Sequence, residues 1–264
     1  MNLGRLFLAE LEREFILLAR YPFELVTRLI WNLGFALMIF FGFQTVGAGL
    51  PGFEAGQLGR LLGLLVTYIA INGLTNGTDL LTREAQTGTL EQAALSPPPL
   101  VTILLMRDLA SFVEMLLRFA LVLAIAIAVT GARFHLDVPA FVVLLTLMYA
   151  GMEGIGLMMA GAALAYKRVA TLGQFVVMLV FGLAIMPLEG LPPWMGAFVT
   201  HFPFTQALVL LREVAVHGTG FTTLLGQGAV WSLALDAGLY LAAGVAAFAW
   251  AERRARDWGT LNQY

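Results

Sequence analysis

Charged side chains are sparse in this sequence, and several of them interrupt long apolar runs. Glu114 and Arg118 are four residues apart, a spacing at which two helical side chains form an ion pair. Glu153 and Asp236 each stand alone within their runs. An ionisable group in such a run marks a substrate or ion pathway unless a partner neutralises it. We expect Glu114 and Arg118 to be structural, whereas Glu153 is the strongest single candidate for a functional carboxylate.

A set of polar side chains recurs at helical spacing within another apolar run. Asn72, Thr75, Asn76 and Asp79 stand at i, i+3, i+4 and i+7, so one helix face carries all four. Side chains of this kind either hydrogen-bond between packed helices or line a translocation path. The residue types do not distinguish these two roles, and both stay open.

Patterns for catalysis and nucleotide binding are missing. The only lysine is Lys167, so the sequence contains no G-x-x-x-x-G-K-[ST] phosphate loop. The three histidines belong to no H-E-x-x-H pattern, and no G-x-S-x-G pattern accompanies them. There is no cysteine to bind a metal, and the net charge of −2 does not suggest a nucleic-acid partner. We therefore expect no catalytic residue, metal or cofactor in this chain.

Membrane spans are the elements that must position these residues. Hydrophobic residues make up 59% of the 264 and charged residues 12%, against about 45–50% and about 25% in soluble proteins. Six apolar runs reach the ~20 residues that a helix needs to cross a bilayer. The runs are 23–46, 58–81, 109–130, 139–165, 169–188 and 224–250. The sequence predicts an all-α polytopic membrane protein with one transmembrane domain over residues 1–264.

The basic residues predict the orientation of these spans. With the N-terminus inside, eleven Lys and Arg residues lie in cytoplasmic segments, and only Arg60, Arg133 and Arg212 lie outside. Both termini are therefore expected in the cytoplasm. Residues 1–21 alternate apolar and charged groups at helical spacing, which predicts an amphipathic helix along the membrane surface. A frayed extension of the first span is the alternative, although Pro22 favours a break there.

The segment between the second and third spans carries the most specific pattern. Residues 83–92 read Arg-Glu-Ala-Gln-Thr-Gly-Thr-Leu-Glu-Gln, and Leu95-Ser96-Pro97 follows. This resembles the signature of type-2 ABC exporter permeases, E-R-E-x-G-T-L-E-x-L followed by S/T-P. The matching positions are Glu84, Gly88, Thr89, Leu90, Glu91, Ser96 and Pro97, whereas Ala85 and Gln86 replace the usual Arg and Glu.

The order of elements also resembles that family. Its members have an N-terminal interfacial helix, six spans, and an outer-side re-entrant helical hairpin before the last span, which residues 189–223 resemble. The resemblance implies the permease subunit of an ATP-driven exporter in a cell membrane, such as a prokaryotic inner membrane. It implies two partners, a separate ABC ATPase that binds ATP and Mg and a second permease, identical or related.

The resemblance also assigns roles to residues. It makes residues 82–100 a cytoplasmic coupling segment and residues 84–92 a short helix on the ATPase. Because a solvated surface charge contributes little to folding, we expect charge reversal of Glu84 or Glu91 to uncouple transport without unfolding the chain. The coupling residues are Glu84, Gly88, Thr89, Leu90 and Glu91. It also places the first, second and fifth spans along the path between two permeases. Together with the polar groups within the spans, this gives an implied translocation path that contains Asn72, Thr75, Asn76, Asp79, Glu153, Gln174, Phe175 and Met178. The implied outer gate contains Pro192, Trp194, Phe202 and Pro203.

Two other functions compete with export. A passive channel or an ion-coupled carrier is one alternative, although such carriers usually show inverted repeats and helices broken at mid-membrane, and neither is apparent. A membrane enzyme is the other, and the missing catalytic set disfavours it. The sequence does not choose among drugs, lipids, glycans and ions as the substrate.

Overall fold

The structure is a computed structural model that describes residues 3–47, 57–87, 99–166, 170–185 and 193–257. These residues form helices joined by turns, which confirms the predicted all-α class for this part of the chain. The helices are α1 Leu3–Arg20, α2 Pro22–Gly47, α3 Gln57–Thr87, α4 Leu100–Thr130, α5 Val138–Tyr166, α6 Ala170–Ile185, α7 Pro193–Thr200, α8 Pro203–Ala215, α9 Phe221–Gly226 and α10 Ala229–Asp257.

Five of the described helices are long and apolar enough to cross a membrane, namely α2, α3, α4, α5 and α10. The chain is therefore a multi-pass membrane protein. The predicted fifth span corresponds to α6, an apolar helix of only 16 residues, about 24 Å long. A bilayer core is ~30 Å thick, and residues 186–192, which follow α6, lie outside the described ranges. The sixth crossing stays a prediction.

Two spans begin elsewhere than the apolar runs predict. Helix α4 begins at Leu100, nine residues before the predicted start. The predicted span starts at residue 109 because Arg107 and Asp108 interrupt the apolar run. Both charged groups have neighbours on other helices, so they do not end the helix. The last span begins at Ala229, not at residue 224. Gly228 adopts a φ of 79°, which separates α9 from α10.

Helix α5 lies at the centre of the bundle and packs against α10 along its length and against α3. The backbones of α5 and α10 contact each other directly at Gly154 and Gly244. A Cβ atom at Gly244 would lie 2.1 Å from the carbonyl oxygen of Gly154, and one at Gly154 would lie 2.3 Å from the carbonyl carbon of Tyr240. Close approach through small residues is how membrane helices associate, and it holds α5 in a fixed register.

Two short helices, α7 and α8, occupy the segment for which a re-entrant hairpin is predicted, and their depth in a membrane stays a prediction. Arg212 on α8 donates to the carbonyl oxygens of Gly59 at 3.0 Å and Ala184 at 2.8 Å. One side chain thus joins α8 to the start of α3 and the end of α6. Burial, together with the charge of Arg60, lowers the pKa of Arg212 to about 10, so it is still protonated at neutral pH.

Candidate functional site

An ion-pair network joins α1, α3 and α4 at one end of the bundle. Arg107 on α4 donates through Nε to Glu10 on α1 at 2.9 Å and through Nη1 to Glu84 on α3 at 2.8 Å. The side chains of Arg107, Glu10 and Glu84 are 23%, 12% and 20% exposed. We name these three residues the Arg107 clamp. A part-buried network of this kind contributes more than an isolated surface pair.

The clamp changes what can be expected of Glu84. This residue lies in the last turn of α3, which continues to Thr87, so the predicted start of a separate short helix at Glu84 is wrong. The prediction that charge reversal spares folding assumed a solvated side chain, and Arg107 binds it instead. The other coupling residues, Gly88, Thr89, Leu90 and Glu91, lie outside the described residues.

Glu153 lies inside the bundle, beside Asp108 of α4. Each of the two side chains is 3% exposed. Tyr149 donates its hydroxyl to the backbone oxygen of Asp108 at 3.3 Å, and Asn76 lies beside Asp108 and Tyr149. Within the described part of the chain, both carboxyl oxygens of Glu153 and Oδ2 of Asp108 lack a hydrogen-bond partner. Two adjacent carboxyl groups buried in this way are costly when both are ionised, so the pair is suited to hold a proton.

The predicted ion pair between Glu114 and Arg118 is confirmed. Arg118 donates through Nε to Glu114 at 3.0 Å and through Nη2 to the other carboxyl oxygen. Its Nη1 donates to the hydroxyl of Tyr68 on α3 at 2.6 Å. The pair therefore also fixes α4 against α3.

The other residues of the implied translocation path differ in how far they are buried. Asn72 is half-buried and donates to the backbone oxygen of Tyr68 at 2.8 Å, whereas Asp79 is exposed. Thr75 and Asn76 are also half-buried on the same helix. Gln174, Phe175 and Met178 are exposed along α6. The structure thus separates an exposed strip on α6 from the buried Glu153.

The residues of the implied outer gate are only partly described. Phe202 and Pro203 are buried, and Pro203 contacts α5 so closely that a Cβ atom at Gly151 would lie 2.5 Å from it. Helix α7 contains Trp194, whose side chain is not among the described ones, and Pro192 precedes the described range.

Asp236, which the sequence leaves without a partner, has two in the structure. His201 Nδ1 lies 3.0 Å from its Oδ2, and Gln206 Nε2 donates to the same atom at 2.7 Å. Both partners come from the α7–α8 segment, 35 and 30 residues away in sequence. These contacts satisfy one carboxyl oxygen of Asp236 and hold that segment on α10.

Comparison with protein families assigns the chain to a family. Residues 5–216, about four-fifths of the sequence, match the ABC-2 type transporter family. The chain belongs to this family. It is therefore the non-catalytic transmembrane subunit of an ABC transporter, as the residue pattern in residues 83–97 implied. A comparison with curated proteins found no match.

The ABC-2 match ends at residue 216, before α9 and α10. Helix α10 nevertheless packs against α5 through Gly154 and Gly244, so the last helix is part of the same bundle. ABC-2 permeases generally pair with an ABC ATPase. The end of this subunit that bears the Arg107 clamp adjoins residues 88–98, which contain most of the signature.

Proposed function

We propose that this ABC-2 permease exports its substrate with energy from a separate ATPase chain, and that the connection between α3 and α4 receives the movement of that ATPase. The Arg107 clamp is the observation that carries the proposal. It joins α1 to the two helices that flank residues 88–98, which resemble the coupling signature. Because the chain has no phosphate loop, ATP and Mg bind to the partner.

The clamp supports a rigid-body mechanism. A displacement of residues 88–98 moves α3 and α4 directly, and Arg107 makes α1 move with them. The same two helices carry Asn76 and Asp108, so their displacement changes the surroundings of Glu153. Switching between two packed arrangements is the usual way in which a small local shift is amplified.

Exposed side chains on α2 and α6 support a path between two permease subunits. Trp31 and Met38 on α2 and Phe175 and Met178 on α6 are 65% to 76% exposed. Gln174 adds an exposed polar side chain to the same helix as Phe175. We infer that a second permease, identical or related, faces this surface. The positive-inside count supports a cytoplasmic location for both termini and for the clamp.

Co-expression with a candidate ABC ATPase, sought first among the neighbouring genes, tests the proposal. The permease alone should hydrolyse no ATP above background, whereas the co-purified complex should hydrolyse ATP and transport substrate in vesicles. Glu84→Gln should reduce transport at least about tenfold while the ATPase still co-purifies, because it removes one carboxylate of the clamp without reversing the charge. Glu12→Gln, at an exposed position on α1, is the matched control. Unchanged transport by the Glu84 variant would contradict the proposed coupling.

A further inference from the structure

The carboxyl groups of Asp108 and Glu153 lie within hydrogen-bonding reach of each other, yet three of their oxygens have no donor among the described residues. An ionised carboxylate accepts hydrogen bonds and cannot donate one. Contact between two ionised groups is therefore repulsive, whereas one proton turns the same contact into a charge-assisted O–H···O hydrogen bond. Because the proton lies within this bond, the site needs no cavity.

The charged groups around this pair do not supply a counter-ion for it. Arg107, whose charge acts on Asp108, is already bound by the two carboxylates of the clamp. Helices α3, α8 and α10 also pack against α5, yet among the described residues only the charge of Asp108 acts on Glu153. Tyr149 donates its hydroxyl to the backbone oxygen of Asp108 and not to either carboxyl group. A proton is the positive charge that remains available to the pair.

The neighbours of the two carboxyl groups differ, which indicates where the proton lies. Asn76 on α3 lies beside Asp108 and can donate its amide N–H groups to that carboxylate. Neither carboxyl oxygen of Glu153 has a donor in the described part of the chain. We therefore expect Glu153 to carry the proton and Asp108 to accept the hydrogen bond.

A third carboxyl group, that of Glu14 on α1, lies near the pair and is only half-buried. Its charge acts on Asp108. Ser111, which follows Asp108 by three residues on α4, donates its hydroxyl to Glu14 at 3.4 Å. Glu14 is thus held against the part of α4 that carries Asp108, at the end of the bundle that bears the clamp.

The surroundings of Glu14 suit it to exchange protons. Burial raises the pKa of Glu14, and the charge of Arg13 opposes this effect. The charges of Glu114 and Glu10 act in the same direction as burial. A carboxyl group transfers protons best when its pKa lies near the operating pH, so a raised pKa favours this role.

We propose that the permease stores one exchangeable proton between Glu153 and Asp108, and that Glu14 relays it to and from the solvent. In the stored state the O–H group of Glu153 donates to Asp108, and the pair carries a single negative charge. Release passes the proton through Asp108 and Glu14 to water and leaves both groups of the pair ionised. The proposal goes beyond the proposed export function and does not rest on it.

Infrared spectroscopy of the purified permease tests the storage, because a protonated carboxyl group absorbs apart from carboxylates and amides. At about pH 8, where ordinary carboxyl groups are ionised, the wild type should show this band. Glu153→Gln should remove the band, and Asp108→Asn should shift it, since the acceptor of the hydrogen bond changes. Glu12→Gln, at an exposed position on α1, should leave it unchanged. Absence of the band from the wild type, or its survival in Glu153→Gln, would overturn the proposal.

The pH dependence of stability counts the same proton independently. Above about pH 6 the unfolded chain has no proton on these groups, so the folded wild type binds one proton more and loses stability as the pH rises. Its unfolding constant, relative to that of Glu153→Gln, should increase about tenfold per pH unit from about pH 6 to about pH 8. A ratio independent of pH would contradict the stored proton.

The rate of hydrogen–deuterium exchange tests the relay. After transfer into D₂O, the band should shift at least about tenfold more slowly in Glu14→Gln than in Glu12→Gln, because a positioned carboxyl group accelerates proton transfer. The position of the band before transfer should be the same in both variants. Equal exchange rates would overturn the relay. All three measurements use the permease without an ATPase, so failure here leaves the proposed coupling untouched.

Discussion

At the scale of the residue, Arg107 is the cation on which two carboxylates depend. Arg107→Gln leaves Glu10 and Glu84 close together without their common partner. The free energy of unfolding in detergent should fall by about 2 kcal/mol, between the values typical of surface and buried ion pairs. Arg13→Gln is the control, because Arg13 is half-exposed and pairs with Glu10 within α1. Equal losses in the two variants would show that the clamp does not stabilise the bundle.

Substitution of Glu153 should raise the stability of the bundle, whereas substitution of Arg107 should lower it. Glu153→Gln keeps the shape of the side chain, removes one of two adjacent carboxyl groups and offers N–H donors to the unpartnered oxygen of Asp108. We expect stability to rise by about 1 kcal/mol and transport by the assembled complex to fall. Asp236→Asn is the control, since Asp236 already accepts two hydrogen bonds and should lose stability. Full transport by Glu153→Gln would assign a structural role to this carboxyl group.

Whether a contact could be predicted depended on how far apart its residues lie in sequence. Glu114 and Arg118 are four residues apart, so helical spacing alone predicted their pairing. Arg107 is 23 residues from Glu84 and 97 from Glu10, and no local pattern relates positions that are brought together only by packing. Asp108 precedes the apolar run that predicts the third span, so the sequence does not mark it as a charged group inside the bundle.

At the scale of the element, the contact between α5 and α10 leaves no room for a side chain. Gly154→Ala would place a methyl group 2.3 Å from the backbone of Tyr240, so the helices must separate. We expect a loss of about 3 kcal/mol, the upper part of the range for overpacked sites. Gly238→Ala on α10 meets nothing within 4 Å and should be neutral or slightly stabilising. Unfolding monitored by circular dichroism distinguishes the two, and similar stabilities would mean that the helices are not in register as described.

Apolar runs predicted the long helices but not all of their ends. An apolar run in the sequence shows only where side chains suited to lipid begin. A helix extends beyond such a run wherever its charged and polar side chains find partners. Helix α4 therefore extends nine residues before the predicted third span, through Arg107 and Asp108. Helix α10 instead begins five residues after the predicted start of the last span. The apolar run continues through Gly228, but the positive φ of that residue interrupts the helix.

At the scale of the whole molecule, the two ends of the bundle are held by different arginines. The Arg107 clamp joins α1, α3 and α4, and Arg212 joins α3, α6 and α8. Helix α3 is common to both, and its middle part places Asn76 beside Asp108, next to Glu153. A tilt of α3 would therefore act on this carboxyl pair.

The number of membrane crossings decides the location of every loop, and α6 is the helix on which it depends. If α6 crosses despite its 16 residues, both termini lie on one side. If it does not, the termini lie on opposite sides. Because the chain has no cysteine, single thiols can be introduced without background. The exposed positions Arg5, His217 and Arg253 flank the crossings at issue.

We expect six crossings with both ends of the chain inside. A membrane-impermeant maleimide should label His217→Cys in intact cells, and it should label Arg5→Cys and Arg253→Cys only after permeabilisation. Five crossings would exchange the results for positions 217 and 253 and leave position 5 unchanged, so the three variants separate the two topologies. That exchange would move α8 and Arg212 to the cytoplasmic side. The Arg107 clamp would stay there, because it lies before α6 in the chain and its side depends on position 5 alone.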